Sequence, residues 1–178
     1  AAKKMGRHLQ QDSGAMKKAR SGMAHSIILN NSDSFIQKVS ADAGTLDGLN
    51  PHCAVIDEYH AHKNDLVKGV MQTGMGSRSN PLLMIITTAG FDKDLPCYKV
   101  ERANAVAVLK GERRQDNLFS IIFTLDEGEG ETIVRLDPDI PAEAKQILAL
   151  AKKANPNLGS TPTEKYLLDQ VRDARNKG

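Results

Sequence analysis

Tryptophan is missing from this 178-residue chain, and aromatic residues make up only 4% of it. A core must therefore come mainly from aliphatic side chains. Cysteine is nearly as scarce. Cys53 and Cys97 are too few for a disulfide framework, and Cys53 lies inside an apolar run where a buried thiol is expected, the usage of a reducing cytoplasm. No apolar run approaches 18 residues, and Ala1-Ala2-Lys3-Lys4-Met5-Gly6-Arg7 lacks the apolar centre of a signal peptide, so nothing directs the chain through a membrane. Charge of one sign is lacking too: 24 Lys and Arg stand against 22 Asp and Glu, a net +2. Any contact with nucleic acid must then be local rather than field-driven. Finally, no G-x-x-x-x-G-K-[ST] phosphate loop occurs; residues 69–77 hold glycines with no lysine after them. The chain starts without Met, in a helix-favouring stretch with no N-cap before it, and is read as a fragment.

What is present is ordinary soluble composition, 40% apolar and 26% charged, in a length that suits one domain or a domain with an extension and can bury roughly 70% of its unfolded surface. Residues 1–22 are basic and broken by Gly6, Gly14 and Gly22, which predicts helical turns with Lys3, Lys4, Arg7, Lys17, Lys18 and Arg20 on a solvated face. Residues 26–29 and 34–39 are β-type runs around Asn30-Asn31-Ser32-Asp33, the chemistry of a β-hairpin. A loop over 41–51 leads to Cys53-Ala54-Val55-Ile56, a buried strand by its continuous apolar character. Leu66, Val67, Val70 and Met71 share one helical face, with Asn64 or Asp65 as cap and Gly74 and Gly76 as stops. Pro81 opens a second apolar run, 82–86, ending in Thr87-Thr88-Ala89-Gly90. Two strands joined by a helix form a βαβ unit, hence an α/β fold with a parallel sheet and a site at the carboxyl ends of its strands. Pro96 begins a second helix to Leu109, stopped by Gly111. Residues 119–125 are a third β-type run, predicting a further βαβ step, before an acidic turn over 126–131. Pro138 and Pro141 introduce an Ala- and Lys-rich helix to about Ala154, and Thr161 or Thr163 caps a last charged helix.

The first strand runs directly into Asp57-Glu58-Tyr59-His60. Adjacent strand residues point to opposite faces, so Asp57 and Glu58 are not expected to be solvated together at the end of a central strand. A carboxylate at such a tip helps to hold Mg²⁺ in P-loop NTPases, and a neighbour positions the attacking water. The bland alternative makes the pair a cap for the following helix. The same string fits the DExH box of helicases. A rival zinc site would join His52, Cys53, Asp57, His60 and His62, but no CxxC or HExxH spacing supports it, and the histidines are expected to orient the acidic pair or meet solvent. Arg78 is a candidate phosphate sensor or arginine finger.

Several stretches in order carry a likeness to a known family: Ser40-Ala41-Asp42-Ala43, Leu46-Asp47-Gly48-Leu49-Asn50-Pro51, Val55-Ile56-Asp57-Glu58-Tyr59-His60-Ala61-His62, residues 81–91, Pro96-Cys97-Tyr98 and Ala154-Asn155-Pro156-Asn157-Leu158-Gly159. Over about residues 20–170 the chain resembles the large terminase subunit of tailed bacteriophages. The resemblance implies a partial P-loop NTPase of the ASCE type over residues 1–136, lacking its phosphate loop, and a helical linker over 137–178 toward a nuclease domain. It implies Asp57 as the Walker B aspartate serving Mg²⁺, Glu58 as the glutamate that activates water, and Thr87, Thr88 and Ala89 as the motif coupling ATP hydrolysis to movement. It implies double-stranded DNA, the small terminase subunit and the portal protein as partners, homo-oligomers on the procapsid, and the cytoplasm of a bacterial host carrying the phage or prophage. A DExH helicase core fragment and a non-catalytic assembly module with an NTPase-like sheet are the competing readings.

Overall fold

The computed structural model describes residues 26–28 and 34–177. The predicted helical turns of 1–22 and the hairpin turn at 30–33 lie outside them. Two units, Ala1–Arg113 and Arg114–Gly178, each have their own core.

In the first unit the predicted hairpin is present: β1 (Ser26–Ile28) pairs antiparallel with β2 (Phe35–Gln37), placing Ile27 opposite Ile36. The two apolar runs form β3 (Cys53–Ile56) and β4 (Leu82–Ile85), which pair in parallel from Cys53 opposite Leu82 to Ile56 opposite Ile85. Between them runs α1 (Leu66–Gly74), whose first free amide, that of Leu66, donates to Asn64 Oδ1 at 3.2 Å. The connection is the βαβ unit read from the sequence. Val67 and Met71, four apart on α1, are buried with Ile56, Leu46 and Tyr59, and Ala54, Leu83 and Ile85 pack against them. One face of the β3–β4 pair therefore meets α1, while Val55, Leu82 and Met84 on the other are exposed. Beyond β4, Pro96 opens a π-type turn, Cys97–Arg102, that runs into α2 (Ala103–Leu109). Gly111 stops it in the left-handed region, φ 74°, as expected.

Two glycines of α1 make opposite predictions. A Cβ on Gly69 would meet nothing within 4 Å, whereas one on Gly74 would sit 2.5 Å from the carbonyl oxygen of Leu49. Gly69→Ala should raise stability by about 0.5–1 kcal/mol through helix propensity. Gly74→Ala should lower it by about 1–3 kcal/mol, because the atom in the way is backbone. Denaturant midpoints that move in the same direction for both would contradict this packing of the Leu49 turn on α1.

The second unit is helical: α3 (Glu129–Arg135), α4 (Pro141–Ala151) and α5 (Glu164–Lys177) enclose Ile133, Ile147, Ala151 and Val171. Pro141 takes the first turn of α4, and Thr163 Oγ1 accepts the Tyr166 amide at 3.2 Å to cap α5. Lys153 Nζ reaches Asp126 at 2.7 Å, and Arg175 meets Asp137 at 3.2 Å. Three expectations are corrected. Residues 119–125 are not a strand: Phe119, Ile121 and Phe123 are exposed, and among the described residues no strand pairs with them, so the further βαβ step is not formed. The acidic turn expected over 126–131 is confined to 126–128, where the Glu129 amide donates to the Asp126 carbonyl at 3.2 Å, and α3 begins at Glu129 because Ile133 anchors the rest of the segment in the core. The helix expected to reach Ala154 ends at Ala151.

Candidate functional site

Because β3 and β4 are parallel and in register, the chain leaves both of them on one side of the sheet. The ladder continues past the strands: the Ile86 amide donates to the Ile56 carbonyl at 2.9 Å, and the Tyr59 amide to the Ile86 carbonyl at 3.4 Å. Between those bonds the chain bends. Glu58 has φ 52° and ψ 43°, the left-handed conformation, which costs a residue with a Cβ about 1 kcal/mol or more. Its amide donates to Asp57 Oδ1 at 3.0 Å. The bend drives Tyr59 fully into the core and leaves Asp57 and Glu58 both exposed. This corrects the expectation from strand alternation: the strand ends at Ile56, so the opposite-face rule no longer governs the pair. Nor do the carboxylates cap the following helix, since Asn64 does so. Strain held at an exposed acidic turn is the kind of backbone outlier that accompanies function.

His60 follows the bend and faces the tip of β4. Its backbone amide donates to Thr87 Oγ1 at 3.0 Å, and its ring Nδ1 lies 3.2 Å from the same oxygen, 3.4 Å from Thr88 Oγ1 and 3.1 Å from Glu58 Oε2. Cys97 Sγ, at the start of the π-type turn, is 3.7 Å from Thr87 Oγ1, and the Thr87 hydroxyl can donate to the Thr88 carbonyl at 3.1 Å. The structure thus brings Glu58, Thr87 and Thr88 together around one imidazole, with Asp57 beside them along the chain. Ala89 follows in the exposed segment leaving β4. The threonines and both carboxylates are solvent-accessible, so the cluster can receive a ligand.

Other sequence candidates are elsewhere. Arg78 donates through Nη2 (2.6 Å) and Nε (3.2 Å) to the Asn50 carbonyl, while Ser77 Oγ reaches Asn50 Oδ1 at 3.0 Å. It sits at the amino end of β3, one strand length from the acidic pair. His62 lies against the Tyr59 ring, centroids 5.2 Å apart, and no three His, Cys, Asp or Glu side chains among the described residues converge as metal ligands, so the zinc cluster does not assemble. A groove of about 540 Å³ between the Leu46–Leu49 turn and α1 holds none of the clustered residues. Its walls include Leu46, Leu49, Leu66 and Val70 with Asp47, Asp65 and Thr73. Sequence reasoning missed Gly90 and Cys97 as parts of the cluster. Gly90 carried a signal, a glycine directly after the Thr-Thr-Ala string; a Cβ there would be 2.9 Å from His60 Cβ.

Comparison with known proteins places these residues in context. The family model described as "Terminase large subunit, ATPase domain" matches residues 3–104, more than half of the chain and the whole acidic and threonine cluster. Protein YmfN of Escherichia coli (strain K12) is 42% identical over 130 residues, 73% of this chain and 25% of that protein. The chain therefore spans about a quarter of that relative's length. In fold it is similar to the crystal structure of the HK97 bacteriophage large terminase, with a TM-score of 0.59 at 21% identity, covering 85% of this chain and 28% of that one.

Proposed function

The chain belongs to the family of terminase large-subunit ATPase domains, and we propose that it forms one wall of an ATP-hydrolysing site in a motor that packages DNA. The observation that carries this reading is the exposed Asp57-Glu58 turn at the carboxyl end of β3, joined through His60 to the hydroxyls at the end of β4. Asp57 takes the Walker B role toward Mg²⁺, Glu58 activates the attacking water, and Thr87, Thr88 and Ala89 pass the result of hydrolysis to the rest of the motor. The donor set suits the ion. Mg²⁺ keeps most of its waters and takes one or two carboxylates together with substrate phosphate. Asp57 has one oxygen held by the Glu58 amide, and the other has no hydrogen-bond partner among the described residues. When bound, the ion supplies charge for the phosphate oxygens. The chain's own part is to hold the carboxylates in place and keep Glu58 within reach of a water.

The sequence contains no lysine-bearing phosphate loop, so in this reading the cradle for the β- and γ-phosphates comes from another part of the intact protein. Double-stranded DNA, the small terminase subunit and the portal protein are its partners by family, as homo-oligomers on the procapsid in the host cytoplasm. The test compares the intact protein with these 178 residues alone. Magnesium-dependent phosphate release from ATP is expected from the first and not from the second. Turnover by the isolated segment, or none by the intact protein with DNA present, overturns the assignment.

A further inference from the structure

Carboxylates only accept hydrogen bonds when ionised, so a ring nitrogen 3.1 Å from Glu58 Oε2 must carry the hydrogen. The contact thus requires a hydrogen on Nδ1 of His60. The main-chain amide of the same residue is held by Thr87 Oγ1 at 3.0 Å, and the ring itself is three-quarters buried, against a Glu58 side chain that is 59% exposed. An exposed carboxylate on a flexible stem has no fixed direction of its own. Here its direction is set by an imidazole that is anchored, through backbone and ring, to the tip of the neighbouring strand. Gly90 completes the arrangement: any side chain there meets His60 Cβ, so the ring keeps its place only beside a glycine.

We propose that His60 is a positioning residue that aims the Glu58 carboxylate and ties its aim to the position of Thr87, so that movement of the β4 tip and readiness of the carboxylate change together. The proposal rests on Glu58 acting on the water, as in the function proposed above. Its logic is that of an orienting partner to a catalytic base, where a misplacement of about 1 Å costs on the order of 100-fold.

Steady-state ATP hydrolysis by the intact protein tests it. His60→Ala should lower kcat by about 10- to 100-fold with KM for ATP within about threefold. His60→Asn puts an amide nitrogen where Nδ1 stood and should recover most of the loss. His60→Gln reaches the Nε2 position instead and should not. Gly90→Ala, which displaces the ring without removing it, should reproduce the loss. Adding His60→Ala to Glu58→Gln should cost nothing further, because the imidazole acts only through the carboxylate. Thermal melts matched to wild type establish that each variant is folded, and His60→Asn with Gly90→Ala carries the test should His60→Ala not be. Full activity in His60→Ala or Gly90→Ala, equal rescue by Gln and Asn, or additive losses in the double variant overturn the proposal while leaving Glu58 in its role. A Glu58→Gln variant with wild-type kcat removes that role, and His60's with it.

Discussion

Replacing Glu58 with Gln in the intact protein should reduce kcat for ATP hydrolysis by about 10²- to 10⁴-fold, the range typical of losing a general base, and leave ATP binding within about threefold of wild type. That loss corresponds to about 3–5 kcal/mol of barrier. The substitution is chosen on geometric grounds. Gln keeps the length of the side chain and an oxygen that accepts the His60 Nδ1–H, so the contact at 3.1 Å survives and the left-handed turn is not asked to fit a different shape. What disappears is the ability to take a proton from water. Under the proposed function binding should be spared, because the phosphates would be met by the cation and by a cradle elsewhere, not by a carboxylate that would repel them. Equilibrium binding of ATP and single-turnover hydrolysis, measured on the same preparation, separate the two effects. A variant that binds poorly but turns over normally once saturated makes Glu58 a binding residue, and one that is unchanged in both removes it from the site.

The acidic pair was readable in the sequence because both signals that announce it are local. Cys53 to Ile56 is a run with no polar interruption, and two carboxylates follow it without a turn residue between them. The parallel pairing with residues 82–85 was legible for the same reason, helped by the amphipathic helix between the two runs. What could not be read is the left-handed turn at Glu58. Nothing in a glutamate favours φ 52°; the conformation is imposed by Tyr59, whose side chain is fixed in the core and whose amide is held by Ile86. Tertiary structure overrode the strand period there, and both carboxylates came out on the surface. The errors in the second unit have the same origin. Residues 119–125 have the β-branched and aromatic character of a strand, but that preference acts only when a neighbouring strand offers hydrogen bonds. Residues 127–131, Glu-Gly-Glu-Gly-Glu, look like a turn throughout, yet only the first two stay one and the helix begins at Glu129, because Ile133 fits against Ile147 and Val171.

Tyr59→Ala should destabilise the first unit by about 3–5 kcal/mol, the cost of emptying a large aromatic site in a core, whereas Tyr59→Phe should stabilise it by about 1 kcal/mol. The two substitutions act on different parts of one side chain. The ring has no exposed surface and packs with Leu46, Ile56, Val67 and Met71 directly behind the acidic turn. The hydroxyl, equally buried, has no hydrogen-bond partner among the described residues. Removing an unsatisfied buried group recovers its desolvation cost. The hydroxyl also makes stability depend on pH. Its pKa is pushed up to about 12, chiefly by burial and further by the charges of Glu101, Asp65 and Cys97. In the unfolded chain the group titrates near 10. The native state therefore resists losing this proton while the unfolded state releases it freely. The contribution is whole below pH 10 and is lost as pH rises from 10 through 12, by about 2–3 kcal/mol at 1.36 kcal/mol for each unit of difference. Tyr59→Phe lacks the titrating group, so its advantage over wild type should widen from about 1 kcal/mol at pH 8 to about 3 kcal/mol near pH 12. Urea unfolding of both proteins across that range measures the gap. A constant difference would mean that the hydroxyl ionises as readily in the folded protein as in the unfolded chain, and that Tyr59 does not hold the Glu58 turn against the core in the way its burial requires.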